Sequence, residues 1–313
     1  MDGYRTRLLL LVAVGLTGLS GASCPGNLSP FPPPPPPVLP STATLDQVIE
    51  VVNRNNAQIH SYTTTRATLS SPGLPSLRAS LAFQRPGRFR LRAETRLTGP
   101  ELDVGANDEH FWFWVKRNQP PAVYFCRHDQ FASSRARQLL PIDPNLVIEA
   151  MGTAWLDPAL PHQGPFFSPT GDRVEIRTIR ETAEGPMTHV TVVDTQHGWV
   201  VEQRVFDARG QMLARSIATR HRTDPVSNLV MPGQVEITCP SAQFTMKIEL
   251  GPVQINRLTG DPAELWAMPT YPGYPVVNLC DPSGQFHHTV SPTAISARPS
   301  LNDGGWRASG DWQ

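Results

Sequence analysis

Almost everything after Asn56 alternates between apolar and polar residues with a period of two. Phe89, Leu91 and Ala93 interleave with Arg88, Arg90, Arg92 and Glu94; Val174, Ile176 and Thr178 interleave with Glu175 and Arg177. Phe244, Met246, Ile248 and Leu250 do the same with Thr245, Lys247 and Glu249. This period sends successive side chains to opposite faces of a strand, one dry and one wet. Turn signals separate the runs at Pro86-Gly87, Glu184-Gly185-Pro186, His197-Gly198 and Asp207-Ala208-Arg209-Gly210. Short links between such strands make antiparallel hairpins, and about ten or eleven strands are expected. A sheet of that size curls or closes rather than staying flat.

Two helices accompany the strands. Thr44-Leu45-Asp46-Gln47 is a capping box, with Leu45, Val48, Ile49 and Val52 following at helical spacing and Asn55-Asn56 as a stop. Asp143-Pro144 offers a second start, and Leu146, Val147, Ala150, Met151, Ala154 and Trp155 then form a broad apolar stripe ending before Asp157-Pro158. The expected class is α+β: one curved antiparallel sheet with the helices burying their stripes on a single face. No domain boundary is visible between 44 and 282.

One strand breaks the alternation. Glu109 to Lys116 is apolar on both faces, with Phe111, Phe113 and Val115 on one side and Trp112 and Trp114 on the other. Its neighbour, Ala122 to Cys126, is similar. Two readings stand. The hairpin is either buried on both faces, under a helix or the C-terminal segment, or it lines an apolar concavity for a ligand. The residues assigned to that cavity are Phe83, Phe89, Leu91, Phe111, Phe113 and Val115.

The amino terminus reads as an address. Arg5 and Arg7 precede the apolar run Leu8 to Leu19, too short to span a bilayer, and then Ser20-Gly21-Ala22-Ser23. This is a secretory signal over 1–23. It ends at Cys24 in a pattern that resembles the bacterial lipobox, although Gly21 stands where Leu is usual; ordinary cleavage leaving an unmodified Cys is the alternative. Cys24 is thus the lipidation candidate, and residues 24–43, with six consecutive prolines at 32–37, make an extended polyproline II spacer. A docking site for a proline-recognition module is the other reading of that run. The folded domain is expected over 44–290 and a disordered tail over 291–313.

The order of lipoprotein signal, spacer, capped helix, strand meander, helix insertion and further hairpins resembles the LolA/LolB-like superfamily of bacterial lipoprotein carriers, in particular the outer-membrane lipoprotein-sorting-like proteins of planctomycete type. The resemblance rests on Leu45 to Ile49 with Asn53-Arg54-Asn55, on Asp108 to Asp129, and on Gly198-Trp199-Val200-Val201 running into Asp207-Ala208-Arg209-Gly210. It covers roughly residues 44–255 and implies an unclosed half β-barrel with helices covering its concave face. It also implies a cavity for lipid or the acyl chains of lipoproteins, and no covalent chemistry. With the anchor, this places the chain in the cell envelope facing the periplasm, at the outer rather than the inner membrane.

The residues themselves carry little catalytic signal. Gly-x-Ser-x-Gly, His-Glu-x-x-His and Gly-x-x-x-x-Gly-Lys-Ser/Thr are absent from the sequence, so no enzyme is expected and no cofactor. Lys plus Arg number 27 against 27 for Asp plus Glu, which argues against nucleic acid as a partner. Cys126-Arg127-His128-Asp129 gathers three metal-ligand types at a strand end and His287-His288 a further two; solvated residues are the plainer reading of both. Arg85, Arg88, Arg90, Arg92 and Arg96 read as the wet face of one hairpin, or as a surface for anionic lipid. With Cys24 lipidated, Cys126, Cys239 and Cys280 remain; Cys239 and Cys280, in turn-like surroundings, are the first pair to test for a disulfide, against three unpaired thiols.

Overall fold

The computed structural model describes residues 35–131, 144–182 and 185–281. The chain divides between Pro36 and Pro37 into two units, and nearly all described residues belong to the second. The signal segment, Cys24, His287-His288 and the tail from 291 lie outside the described residues.

Helix α1 (Leu45–Asn56) forms as its capping box dictates. The Thr44 amide donates to Gln47 Oε1 at 2.8 Å, and the Gln47 amide donates to Thr44 Oγ1 at 3.4 Å. Its buried stripe, Val48, Ile49 and Val52, packs on Leu156, Val174, Ile176 and Val193. The asparagines at its end do more than stop it. Asn53 accepts from the Leu156 amide (3.0 Å) and donates to the Leu156 carbonyl (2.7 Å). Asn56 donates to the Ala154 carbonyl at 2.8 Å, and Asn55 bonds both the amide and the carbonyl of Val230 at 2.9 Å.

Six strands follow as a meander: β1 (Ser61–Ser70), β2 (Leu77–Gln84), β3 (Arg88–Thr95), β4 (Gly99–Ala106), β5 (His110–Val115) and β6 (Val123–Arg127). A short helix, α2 (His128–Phe131), ends this half. The second helical segment begins as α3 (Pro144–Ile148) but passes into a π-turn at Glu149–Thr153. The long helix expected to run to Trp155 therefore does not form. Gly152 sits at φ 98°, outside the helical region, and a Cβ there would meet Pro232 Cδ at 2.7 Å. The stripe is still used: Leu146, Ala150, Met151 and Ala154 are buried, while Trp155 is 40% exposed.

The second half contains β7 (His162–Phe167), β8 (Arg173–Thr182), β9 (Gly185–Asp194), β10 (Val200–Phe206), β11 (Met212–Thr219), β14 (Gln234–Cys239) and β15 (Phe244–Glu249). Between them lie a small separate hairpin of β12 (Arg222–Thr223) with β13 (Val230–Met231), and after them β16 (Gln254–Ile255), helix α4 (Pro262–Leu265) and β17 (Val276–Asn278). The main sheet runs β17-β6-β5-β4-β3-β2-β1-β15-β14-β11-β10-β9-β8-β7, with β16 also paired to β1. It is large, curved and unclosed, with β17 and β7 at its edges.

Two expectations need correction here. The described residues contain seventeen strands, fifteen of them in the main sheet, rather than ten or eleven. The excess comes mainly from ladders of two or three residues, too short to show a period. The sheet is not wholly antiparallel, because β17 pairs parallel with β6. A helical roof over one sheet face is not confirmed: among the described residues α1 packs at the β7–β9 end, and α3 with its π-turn enters the larger core, beside Tyr62, Leu81, Leu91, Ile237 and Ile248.

The expected Cys239–Cys280 pairing is also overturned. Cys280 bonds Cys126, with Cα atoms 5.4 Å apart across 154 residues of sequence. The parallel β6–β17 ladder, continued by the Leu279 amide donating to Phe125 O at 2.8 Å, carries Cys280 to that strand. Cys239 instead points into the core, fully buried and free, and burial pushes its thiol up to about 12. In a Cys24→Ser protein unfolded without reductant, one thiol should therefore react with Ellman's reagent, rising to three after reduction. A non-reducing peptide map joining the Cys239 and Cys280 peptides would contradict the assignment.

Candidate functional site

β1 runs from Ser61 at one end of the sheet, the base, to Ser70 at the other, the mouth. The β1–β2, β3–β4, β5–β6 and β14–β15 links consequently lie at the mouth. Register then settles which side chains share a face. Phe83 pairs with Phe89, Phe89 with Ala106 and Ala106 with Phe111; Leu91 pairs with Val104 and Val104 with Phe113; Val115 pairs with Leu102. All six residues assigned to a cavity thus lie on one sheet face. They do not line one cavity.

Phe83, Phe89 and Leu91 are at most 3% exposed and belong to the large packed core, where Tyr62 lies 5.2 Å from the Phe83 ring. Phe111 sits in a separate cluster near the base with Cys126 and Leu279, edge-on to Phe131 at 5.0 Å, and Phe113 stacks on Tyr124 at 5.1 Å. Of the six, Val115 alone lines an open groove. It lines a groove at the mouth together with Leu69, Leu74, Leu77, Leu102, Phe244 and Met246, with a volume of about 150 Å³. Sequence reasoning missed these six. Phe244 and Met246 showed as one side of an alternating strand, but nothing local says that β15 lies beside β1 or that its mouth end stays uncovered.

The groove has a polar rim. Glu101 accepts from Lys116 Nζ at 3.2 Å and from the Thr98 hydroxyl, and Lys116 Nζ also donates to Thr98 O at 2.7 Å. Arg117, whose side chain is 74% exposed, has its Nε 3.9 Å from Glu101 Oε2. In the adjacent β3–β4 turn, Leu97 stands 95% exposed.

The opposite face of the same strands is closed by the C-terminal segment, so for Trp112 and Trp114 the covering reading holds. Trp114 stacks on Tyr271 at 3.9 Å and meets Tyr274 edge-on at 5.2 Å. Between β3 and β4 lies a buried ion pair, Arg90 with Asp103, 3% and 0% exposed. Asp103 accepts from Arg90 Nη2 (2.9 Å) and Nε (3.2 Å), Arg92 Nε (3.3 Å), Trp112 Nε1 (3.3 Å) and the Tyr271 hydroxyl (2.9 Å). Arg90 Nη1 in turn donates to the carbonyls of Glu264, Leu265 and Ala267 at 3.0–3.1 Å. Burial and the neighbouring Asp103 carboxylate hold the Tyr271 hydroxyl above its ordinary range, so it stays a donor.

The arginines expected on one wet face therefore divide. Arg90 is a buried clamp; Arg85 donates to the Ile59 and Asn56 carbonyls at 2.9 and 2.8 Å, closing α1; Arg88 pairs with Asp108. Arg92 and Arg96 reach solvent. At the strand end, Cys126 is spent in the disulfide, Arg127 chelates Asp129 at 3.0 Å, and His128 Nε2 bonds Asn107 O at 2.8 Å. Among the described residues no cluster of three or more His, Cys, Asp or Glu could hold a metal, and no helix is long and apolar enough to cross a membrane.

The interior of the second half-sheet is more polar: Thr178, His189, Thr191 and Gln203 lie close to Arg180, which is 3.5 Å from Glu149 of the π-turn. Burial, with Arg180 nearby, lowers His189 to about 4. The unfolded chain binds this proton near pH 6.5 and the fold does not, so the stability is fully present above pH 6.5 and is lost progressively towards pH 4. The loss should reach ~3 kcal/mol, read as a falling urea midpoint that His189→Gln removes.

No family model matches the chain, and no curated protein matches it in sequence. Among solved structures it is similar to a DUF1329 family protein from Desulfovibrio piger, at 10% identity over 72% of this chain and 100% of that one, TM-score 0.47. It is similar to a LolA superfamily protein from Nitrosomonas europaea at 9% identity, 72% and 98% coverage and TM-score 0.45. A Vibrio parahaemolyticus domain described as an outer membrane lipoprotein-sorting protein matches at 9% identity, 71% and 97% coverage and TM-score 0.46.

Proposed function

We propose that the chain is a membrane-anchored envelope lipoprotein that binds a hydrophobic ligand, a lipid or the acyl chain of a lipoprotein, at the mouth groove. The observation that carries this reading is the groove itself. Leu69, Leu74, Leu77, Leu102, Val115, Phe244 and Met246 leave apolar surface open at the end of a sheet whose middle holds the large packed core. Ligand sites are concave and mostly apolar with a few polar groups at their margin, which is how this rim is built. The sequence resemblance to LolA/LolB-like proteins supports the same ligand class. A volume of about 150 Å³ suits the end of one acyl chain rather than a whole lipid. No chemistry on the ligand is proposed.

The test is binding of a dansyl-labelled fatty acid by the purified protein. Met246→Asp and Leu102→Trp, which charge or fill the groove, should weaken it at least tenfold, whereas Phe113→Leu should change it little. Equal binding by all four proteins would sink the assignment. Anchoring is tested separately: Cys24→Ala should move the protein from the membrane to the soluble envelope fraction, and unchanged fractionation would mean that Cys24 carries no lipid.

A further inference from the structure

We infer that the mouth groove is also the docking site of the chain's own C-terminal segment around Trp306 and Trp312, which makes that segment a built-in competitor of the ligand; this rests on the groove being a ligand site.

The groove carries more apolar surface than its own elements cover, and Leu97 beside it is almost fully exposed. Beyond Asp281, the last described residue, the sequence has 313 − 281 = 32 further residues, among them Phe286, Trp306 and Trp312. An indole left in water forgoes ~2 kcal/mol or more of burial, so a segment with two of them favours any apolar cleft within reach. The chain leaves β17 towards the base, because β17 runs parallel to β6, whereas the groove lies at the mouth. The distance is short against the tether. β1, with its ten residues, spans ~33 Å, and the stretch from Asp281 to Trp306 reaches up to ~80 Å when extended.

One charge pairing fits: Asp311 adjoins Trp312, whereas Trp306 has Asp303 three residues before it and Arg307 directly after it. The groove rim offers the exposed Arg117 guanidinium, with Lys116 next to it. Covalent attachment gives the segment a local concentration in the millimolar range, so even weak docking is well populated. An incoming acyl chain must displace it, which sets a threshold that a ligand presented at high local concentration, at a membrane or on a partner, would overcome.

The experiment compares the full chain with its Trp306→Ala/Trp312→Ala variant. The variant should bind the dansyl fatty acid about tenfold more tightly. A peptide of residues 303–313 added to the variant should displace the probe, and Arg117→Glu in the full chain should tighten probe binding several-fold. Amide exchange at residues 69–77 and 244–246 should be slower in the full chain than in the variant. Equal exchange in the two proteins overturns the inference, whatever the probe does, and so does a groove protected only by concentration-dependent self-association. If the exchange difference is present but neither protein takes up the probe, the docking stands and the ligand reading fails.

Discussion

The fold depends on one ladder that the chain makes almost end to end. β1 accepts β15 along its mouth half, through Thr68, Leu69 and Ser70, and β16 along its base half, through Tyr62 and Thr63. Without it there would be two unconnected meanders, β1 to β6 and β7 to β15. Asn256 pins the seam: its Oδ1 accepts from the amides of His60 and Ser61 at 2.8 and 3.2 Å, and its backbone N–H donates to Ser61 O at 2.7 Å. Gly251 lets the two backbones close, since a Cβ there would stand 2.3 Å from Arg66 O. The contacts are separated by nearly two hundred residues, so a large loop entropy is overcome before the core can fill.

That seam also explains the groove. A sheet made of two meanders curves around apolar side chains contributed by both, and α3 with its π-turn supplies enough volume to fill the middle. At the mouth, β1, β2, β4 and β5 supply Leu69, Leu77, Leu102 and Val115, and β15 supplies Phe244 and Met246, and none of the described helices contributes to the lining. The open space follows from where the filling stops.

The strands were legible because period-two burial is a local property: Phe89, Leu91 and Ala93 are buried and Arg92 is not. Arg90 shows the limit. It reads as a solvent residue in β3, yet a segment some 175 positions later lays three carbonyls over it, and only the fold brings them there. The π-turn was hidden for a similar reason, because Gly152 is tolerable in a helix until Pro232 arrives against it. The six aromatic and aliphatic residues assigned to a cavity share a sheet face, but residue type does not distinguish packed core from open groove. That difference lies in what covers the face, and no local pattern records it.

The two edges of the sheet are finished differently. On one side β17 and the Cys126–Cys280 bond cover β6, leaving a three-residue strand outermost. On the other, β7 is interrupted by a bulge between Gln163 and Phe166, and Pro165 has no amide hydrogen to offer. Neither edge presents a long, regular row of donors and acceptors to another chain. Edges finished in this way resist pairing with the sheet of a second copy, the contact through which a broad sheet with long regular edges would seed a fibril.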